Sequence, residues 1–186
     1  MRIIKKKIIV DPDAKVGIFS VIISSGFFVG YIPKASGTFG SLLALLFYIV
    51  IPGFDNFMVL TSAVILSFIL GVFTSDNMVC RYGEDPSVVV IDEFAGMWLT
   101  LLFVNYQLQA LKEINYSYYL IFAFGAFLVF RLFDILKIQP AKFLERKYNN
   151  GYGVMLDDIV SGIYAGVVTF IITDYSLRLI FNTFNA

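Results

Sequence analysis

Long apolar runs separated by short polar loops are the feature of this sequence that most limits its possible folds. Two runs, residues 57–73 and 118–135, approach the roughly 20 apolar residues that a helix needs to cross a bilayer. Four shorter runs cover residues 16–32, 41–54, 94–106 and 159–173. Hydrophobic residues make up 59% of the chain and charged residues 15%, whereas soluble domains have about 45–50% and about 25%. We therefore predict an all-α, polytopic membrane helical bundle.

The distribution of Lys and Arg predicts how the helices cross the membrane, because cytoplasmic loops carry an excess of these residues. Five cations lie in residues 1–15 and five in residues 131–147, while Lys34 and Arg81 lie in the two loops between them. Placing these segments in the cytoplasm puts twelve of the 14 cations inside and leaves Lys112 and Arg178 outside. This pattern predicts four to five transmembrane helices, and we expect a multi-pass protein of the inner membrane with its active site facing the cytoplasm.

Residues 16–32 cannot form a single transmembrane span if the cations on both sides of them are cytoplasmic, because one span would place its two flanks on opposite sides of the membrane. We therefore predict an interfacial or re-entrant helix here, broken by Ser24-Ser25-Gly26 and by Gly30. The alternative is an ordinary first span that follows the charge rule less closely. The resulting organisation is a basic cytoplasmic segment, residues 1–15, followed by a single membrane-embedded domain, residues 16–186.

The chain contains no histidine and only one cysteine, Cys80. The missing imidazole excludes Ser-His-Asp hydrolysis, histidine-ligated zinc and phosphohistidine intermediates. A lone cysteine excludes an internal disulfide and any metal site built from several cysteines. The formal net charge is zero, so no basic field is available to hold nucleic acid. Any chemistry must therefore use carboxylates, Lys, Arg, hydroxyl groups and a bound cation.

Two pairs of acids directly precede apolar runs of the sequence. Asp92 and Glu93 precede one run, and Asp157 and Asp158 precede another. One interpretation is helix capping. Acids at a helix N-terminus accept hydrogen bonds from unpaired N–H groups, and their negative charge interacts favourably with the positive end of the helix dipole. Capping explains one member of each pair better than the second. The loop at residues 149–153 is predicted to be a flexible turn that lets the second pair approach the first.

A fifth acid, Asp134, lies inside an apolar run. Arg131 and Lys137 are three residues to either side, so the three side chains share one face of a predicted helix. A structural ion pair is one explanation, but an acid inside a membrane segment is costly and by default indicates a functional site. Five acids packed closely would repel one another unless a cation neutralised them. Oxygen ligands without Cys or His favour a hard cation, above all Mg²⁺.

The segment that leads into the second apolar run combines glycines, hydroxyl groups and a cation. We predict that its substrate-binding residues are Lys34, Gly37, Thr38, Gly40 and Ser41. Backbone N–H groups at such a turn can hold an anion, and Lys34 supplies a point charge for phosphate. Close helix packing is the alternative reason for Gly and Ser at these positions.

Four sequence blocks, in this order, resemble the phosphatidylglycerophosphatase A family. They are GTFGSL at residues 37–42, IDEFAGMW at 91–98, FRLFDILK at 130–137 with Pro140, and GYGVMLDDIVSG at 151–162. Ser36 stands where the family usually has Pro before Gly-Thr, and Ile138 stands where it usually has Pro after the Lys. The resemblance implies a magnesium-dependent, mostly α-helical membrane enzyme that converts phosphatidylglycerophosphate, a phospholipid, to phosphatidylglycerol.

The resemblance also implies roles for the residues singled out above. The magnesium and catalytic centre would comprise Asp92, Glu93, Asp134, Asp157 and Asp158, with Arg131 and Lys137 steadying the phosphate charge. We expect metal-assisted hydrolysis at the cytoplasmic surface, with Asp92 as the base. Water is favoured as the nucleophile over a carboxylate, because no Asp-x-Asp pair is present.

Two other classes of protein remain open. A CDP-alcohol-type phosphotransferase also uses an acid-rich magnesium site, but it needs a long spaced Asp-Gly…Ala-Arg…Gly…Asp…Asp pattern that this chain lacks. A cation-binding membrane transporter would place acids in mid-span, often with an internal repeat. No repeat is visible, and four of the five acids lie at the ends of apolar runs. The sequence gives no indication of the oligomeric state.

Overall fold

The computed structural model describes residues 10–11, 14–83, 86–139 and 150–184 of the chain. In these ranges all regular structure is helical, with no strand, which confirms the predicted all-α class. The helices are α1 (Ile18–Ser24), α2 (Ser36–Val50), α3 (Phe57–Tyr82), α4 (Ile91–Ile114), α5 (Tyr116–Leu136) and α6 (Gly151–Phe184), with a 3₁₀ turn at Val29–Tyr31.

Helices α2 to α6 form a bundle with α4 at its centre. Helix α4 packs against α2, α3, α5 and α6, and most of its residues are buried. Short connections reverse the chain: Asn56 caps α3, and its side chain accepts a hydrogen bond from Met58 N at 2.9 Å. Asn115 alone joins α4 to α5 and caps the new helix through Ser117 N at 2.8 Å. The starts of α2, α4 and α6 and the ends of α3 and α5 therefore meet at one end of the bundle.

Within the described ranges, three helices are long and apolar enough to cross a membrane, namely α3, α5 and the Gly151–Asn182 portion of α6. The chain is thus a membrane protein. The number of candidate spans is lower than the four to five transmembrane helices that the sequence predicts. Helix α2 has only 15 residues. Helix α4 has 24 residues, but it is surrounded by other helices and carries polar side chains such as Asn105 and Gln107. A central helix does not need a lipid-like surface, because protein replaces lipid around it.

Helices α4 and α6 approach each other closely because glycines face each other across their contact. A Cβ atom at Gly162 would lie 2.6 Å from the carbonyl oxygen of Gly96. A Cβ atom at Gly96 would lie 2.7 Å from the carbonyl oxygen of Asp158. Small residues let helix backbones approach in this way in membrane proteins. The contact places the second acid pair beside the first turns of α4.

The N-terminal segment folds back on itself at the same end of the bundle. Helix α1 has seven residues, a length of about 10 Å that is too short to cross a bilayer. It ends at Ser24, where the sequence predicted a break, and the next turn carries Phe27 and Phe28 at φ 57° and 70°. The carbonyl of Ser24 accepts a hydrogen bond from Val90 N at 2.8 Å, next to the start of α4. The structure therefore has a short helix that folds back here, as an interfacial or re-entrant helix would, and not the long helix of an ordinary first span.

Candidate active site

A polar cavity of about 270 Å³ opens at the end of the bundle where the helix termini meet. It brings together all five acids and both cations that the sequence predicts as catalytic: Asp92, Glu93, Arg131, Asp134, Lys137, Asp157 and Asp158. Its remaining wall comes from Ala35, Ser36 and Gly37 before and within α2, Pro86, Ser87 and Val89 before α4, and Val154 in α6. Residues far apart in the sequence therefore share one site.

The two residues of the first acid pair have different contacts, one at the helix start and one with the neighbouring helices. Asp92 Oδ1 accepts a hydrogen bond from Glu93 N at 2.9 Å, so Asp92 partly caps the start of α4. Glu93 instead points to the neighbouring helices, where Ser41 Oγ donates to its Oε2 at 2.8 Å and Arg131 forms an ion pair with it. Capping therefore accounts for one residue of this pair only.

Arg131 connects acids from two helices. Its Nη1 atom lies 2.9 Å from Asp134 Oδ2 on α5, in addition to its ion pair with Glu93 on α4. The same nitrogen donates to Ser41 Oγ at 3.2 Å. The ion-pair interpretation of Asp134 is therefore correct as far as Arg131 is concerned. The pair does not make Asp134 purely structural, because the acids outnumber the cations among the described residues that line the cavity.

Lys137 lies one residue beyond the end of α5, so the prediction that it shares a helical face with Arg131 and Asp134 is wrong. The residue adopts the left-handed conformation, with φ 43°, which is uncommon for a residue other than glycine, asparagine or aspartate. This conformation turns its side chain toward α6, where Lys137 Nζ lies 2.7 Å from Asp157 Oδ2. Each cation therefore pairs with an acid from a helix other than α5, Arg131 with Glu93 of α4 and Lys137 with Asp157 of α6.

The second acid pair lies inside α6 and not at its start. The helix begins at Gly151, so Asp157 and Asp158 are almost two turns inside it, and capping is wrong for this pair. The predicted flexible turn at residues 149–153 is also wrong where it is described, because residues 151–153 are helical; residue 149 lies outside the described ranges. A helix holds these acids more rigidly than a loop would.

Three of the carboxylates form a group with the geometry of a cation site. Oxygen atoms of Glu93, Asp134 and Asp158 all lie within 4.8 Å of one another, and each residue is at most 8% exposed. Asp158 Oδ2 is buried and has no hydrogen-bond partner among the described residues. Like charges held this closely repel one another, and oxygen donors suit a hard cation such as Mg²⁺. The residues present therefore fit a bound divalent cation.

The predicted substrate-binding residues occupy different positions around the cavity. Gly37 lines it, and a side chain at this position would overlap the carboxylate of Glu93. Ser41 lies behind the lining as the partner of Glu93 and Arg131, and Gly40 packs against Val90. Lys34 is exposed and Thr38 is half-buried; neither lines the cavity.

The N-terminus of α2 faces the cavity without a side-chain cap. The preceding residue, Ala35, is left-handed with φ 58°, and among the described residues it provides no side-chain hydrogen bond to cap the helix. Ser36 donates to the carbonyl of Ser87 at 2.7 Å and so joins the two walls of the cavity. The N-terminus of a helix, where N–H groups lack partners within the helix, favours an anion.

Two features in and next to this site are not predicted by the sequence. Ser36 and the segment around Ser87 line the cavity. The position of Ser36 directly before the predicted substrate-binding residue Gly37 is the one sequence signal for this role. Asp76, on α3, accepts a hydrogen bond from Gly151 N at 2.5 Å. No pattern in the sequence links these two residues, which are 75 positions apart.

Comparison with known proteins confirms the predicted family. Residues 22–173 match the sequence model of a family described as phosphatidylglycerophosphatase A. A relative of that name from Haemophilus influenzae is 31% identical over 90% of this chain and 98% of its own length. Another of that name from Escherichia coli strain K12 is 32% identical over 81% of each chain.

A third relative carries a different name. A Bacteroides thetaiotaomicron protein, provisionally named as a phosphatidylinositol-3-phosphatase, is 35% identical over 80% of this chain and 89% of its own length. No solved structure matches the chain significantly. All three relatives are named for removing phosphate from a phospholipid.

Proposed function

This chain belongs to the phosphatidylglycerophosphatase A family, and on that premise we propose that it hydrolyses phosphatidylglycerophosphate to phosphatidylglycerol and inorganic phosphate. The observation that carries the proposal is the buried group of carboxylates beside two cations and a helix N-terminus in one cavity. This combination suits a phosphate monoester, because it offers acids for a metal ion and positive groups for the phosphate oxygens.

Glu93, Asp134 and Asp158 would hold Mg²⁺, since their oxygens converge within one small volume. The ion would supply positive charge to the phosphate oxygens when it is bound. Asp157 and Asp92 stand beside this group in the cavity wall.

The protein's own side chains have distinct tasks in the hydrolysis. Asp92, at the cavity wall, would accept a proton from the attacking water, whose oxygen forms the new bond to phosphorus. The bond between phosphorus and the ester oxygen breaks, and the lipid leaves as an alcohol after that oxygen takes up the proton that Asp92 accepted, passed on through water. Arg131 and Lys137 supply fixed positive charge, and the first N–H groups of α2 provide a seat for phosphate oxygens.

The position of the cavity at one end of the bundle suits a lipid substrate. The acyl chains can remain between apolar helices while the headgroup reaches the helix termini. Among the described residues, Lys34, Arg81 and both cations of the site lie at this end, whereas Lys112 and Arg178 lie at the other. By the positive-inside rule, we propose that the cavity faces the cytoplasm and that the protein lies in the inner membrane.

One observation argues against a transporter, and another adds a second candidate substrate. All five acids of the site lie at one end of the bundle and not along a pathway through it, which does not suit a transporter. The name of the Bacteroides relative makes a phosphoinositide the second candidate substrate, since it too carries a phosphate monoester on a lipid headgroup.

The test is phosphate release from purified full-length protein in detergent with Mg²⁺. Phosphatidylglycerophosphate, phosphatidylinositol 3-phosphate and phosphatidic acid are compared at equal mole fraction in mixed micelles. We expect the highest kcat/KM for phosphatidylglycerophosphate. A higher kcat/KM for phosphatidylinositol 3-phosphate would support lipid phosphatase activity but show that the proposed substrate is wrong. No release from any of the three lipids would contradict the proposal.

A further inference from the structure

We propose that Asp76 is a positioning residue that fixes the start of α6 and thereby places Asp157 and Asp158 in the site. The proposal rests on the proposed function, because it assigns those two acids to the catalytic centre. Asp76 does not line the cavity, so any effect it has on the reaction must act through α6.

The side chain of Asp76 reaches from α3 to the first residue of α6. Its Oδ1 atom accepts a hydrogen bond from Gly151 N at 2.5 Å. The first N–H groups of a helix have no partner within the helix, and a carboxylate there also opposes the positive end of the dipole. Asn150 adds a local cap at Gly153 N, but it belongs to the chain that leads into α6. Asp76 therefore anchors the helix start to a different helix.

Close backbone contacts surround this hydrogen bond. Gly151 lies directly against the backbone of Val72, where a side chain would overlap the Val72 carbonyl oxygen. One turn further along α6, Met155 lies against Gly71 and would overlap a side chain there. The first turn of α6 thus fits α3 at one position only, and a shift along α3 would break both the contact and the hydrogen bond.

The anchored turn lies close to the acids of the site. Asp157 and Asp158 follow Gly151 by six and seven residues, a rise of about 10 Å along a rigid helix. Beyond them, Gly162 packs against Gly96 of α4. The two acids are therefore held between an attachment to α3 before them and an attachment to α4 after them. Loss of the first attachment frees the end of the helix that carries the acids.

The experiment compares the full-length protein with Asp76→Ala, Asp76→Asn and a matched control, Asp174→Ala. Asp174 lies near the far end of α6, where its partner is the exposed Arg178 at 2.9 Å. Hydrogen–deuterium exchange in detergent reports the protection of the amides of residues 151–158 without substrate or metal. The same samples are assayed for kcat and KM.

We expect Asp76→Ala to speed exchange through residues 151–158 and to lower kcat about tenfold with little change in KM, as for residues that orient catalytic groups. Asp76→Asn should recover most of both properties, because its amide oxygen can accept the same hydrogen bond. Asp174→Ala should match the wild type in both.

Two results would overturn the proposal. One is unchanged exchange at residues 151–158 in Asp76→Ala; the other is faster exchange with kcat unchanged. A wild-type protein that releases no phosphate would count against the proposed function alone, because the exchange measurement still decides whether Asp76 holds the acid-bearing turns.

Discussion

The two ends of the helix bundle differ in how their charged side chains are paired. At the cavity end, the described lining residues include five carboxylates and two cations, and one buried oxygen of Asp158 has no hydrogen-bond partner among the described residues. At the other end, Asp55 and Lys112 form a pair at 2.6 Å. The backbone carbonyl of Asp55 accepts hydrogen bonds from Asn105 at 3.0 Å and Gln109 at 3.3 Å.

This difference indicates which end stabilises the fold and which end performs chemistry. A paired and hydrogen-bonded group contributes to stability, whereas buried like charges lower it unless a ligand neutralises them. Proteins tolerate such local conflicts mainly at functional sites. Neutralising a carboxylate at the cavity end should therefore lower activity but not stability, and neutralising Asp55 at the other end should do the reverse.

The largest effect on activity is expected from Asp158→Asn. The change keeps the shape of the side chain and removes a charge from the buried group, so we expect kcat to fall by at least about 100-fold, more than for an outer residue. The thermal midpoint should stay equal or rise, because one of three repelling carboxylates is neutralised. Phosphate release and thermal unfolding in detergent measure the two quantities. A fall in midpoint of many degrees would mean that Asp158 is structural.

Arg131→Lys should have the next largest effect. Lysine keeps the charge, but it cannot reproduce the planar group with which Arg131 contacts Glu93, Asp134 and Ser41. We expect kcat/KM to fall by roughly 10–100-fold and stability to fall moderately. The control is Arg178→Lys, at the exposed pair on the far end of α6. Equal kinetics for Arg131→Lys and the wild type would show that only the charge matters.

Asp55→Asn should have the opposite effect to Asp158→Asn, with full activity and lower stability. Burial alone raises the pKa of Asp55, but the hydrogen bond and charge of Lys112 hold that pKa below its ordinary value. A lowered pKa stabilises the fold above the unfolded-state pKa, and this contribution is lost as the pH falls through the folded-state pKa. We expect a loss of about 0.5 kcal/mol at neutral pH that disappears at acidic pH. A pH series of unfolding midpoints for both proteins measures it.

Ser36→Ala should have the smallest effect. It removes the hydrogen bond to the Ser87 carbonyl that joins two walls of the cavity, in an exposed place where water can replace it. We expect a change in KM of about twofold to fivefold, in line with about 0.5–1 kcal/mol for one such bond, with kcat nearly unchanged. Steady-state kinetics with phosphatidylglycerophosphate detect it. A large loss of kcat would place Ser36 in the catalytic step.

The sequence was sufficient to predict the helical class, the break near Ser24 and the set of acids and cations in the cavity. These predictions follow from local properties: apolar runs, charge distribution and the cost of acids near a membrane. The exact start of α6 and the turn at Lys137 were not predictable in this way. Both depend on contacts between helices, since Gly151 is fixed by Asp76 and Lys137 by Asp157.

The most direct test of the account is phosphate release from phosphatidylglycerophosphate by wild-type and Asp134→Asn proteins, first with Mg²⁺, then with excess EDTA, then with Mg²⁺ restored. We predict that the wild type releases phosphate, stops when the metal is removed and resumes when it is returned. Asp134→Asn, folded and with an unchanged α-helical spectrum, should release almost none throughout. Wild-type activity that persists in EDTA, or an Asp134→Asn variant with near-wild-type rates, would contradict the assignment of this acid group as the metal-dependent centre.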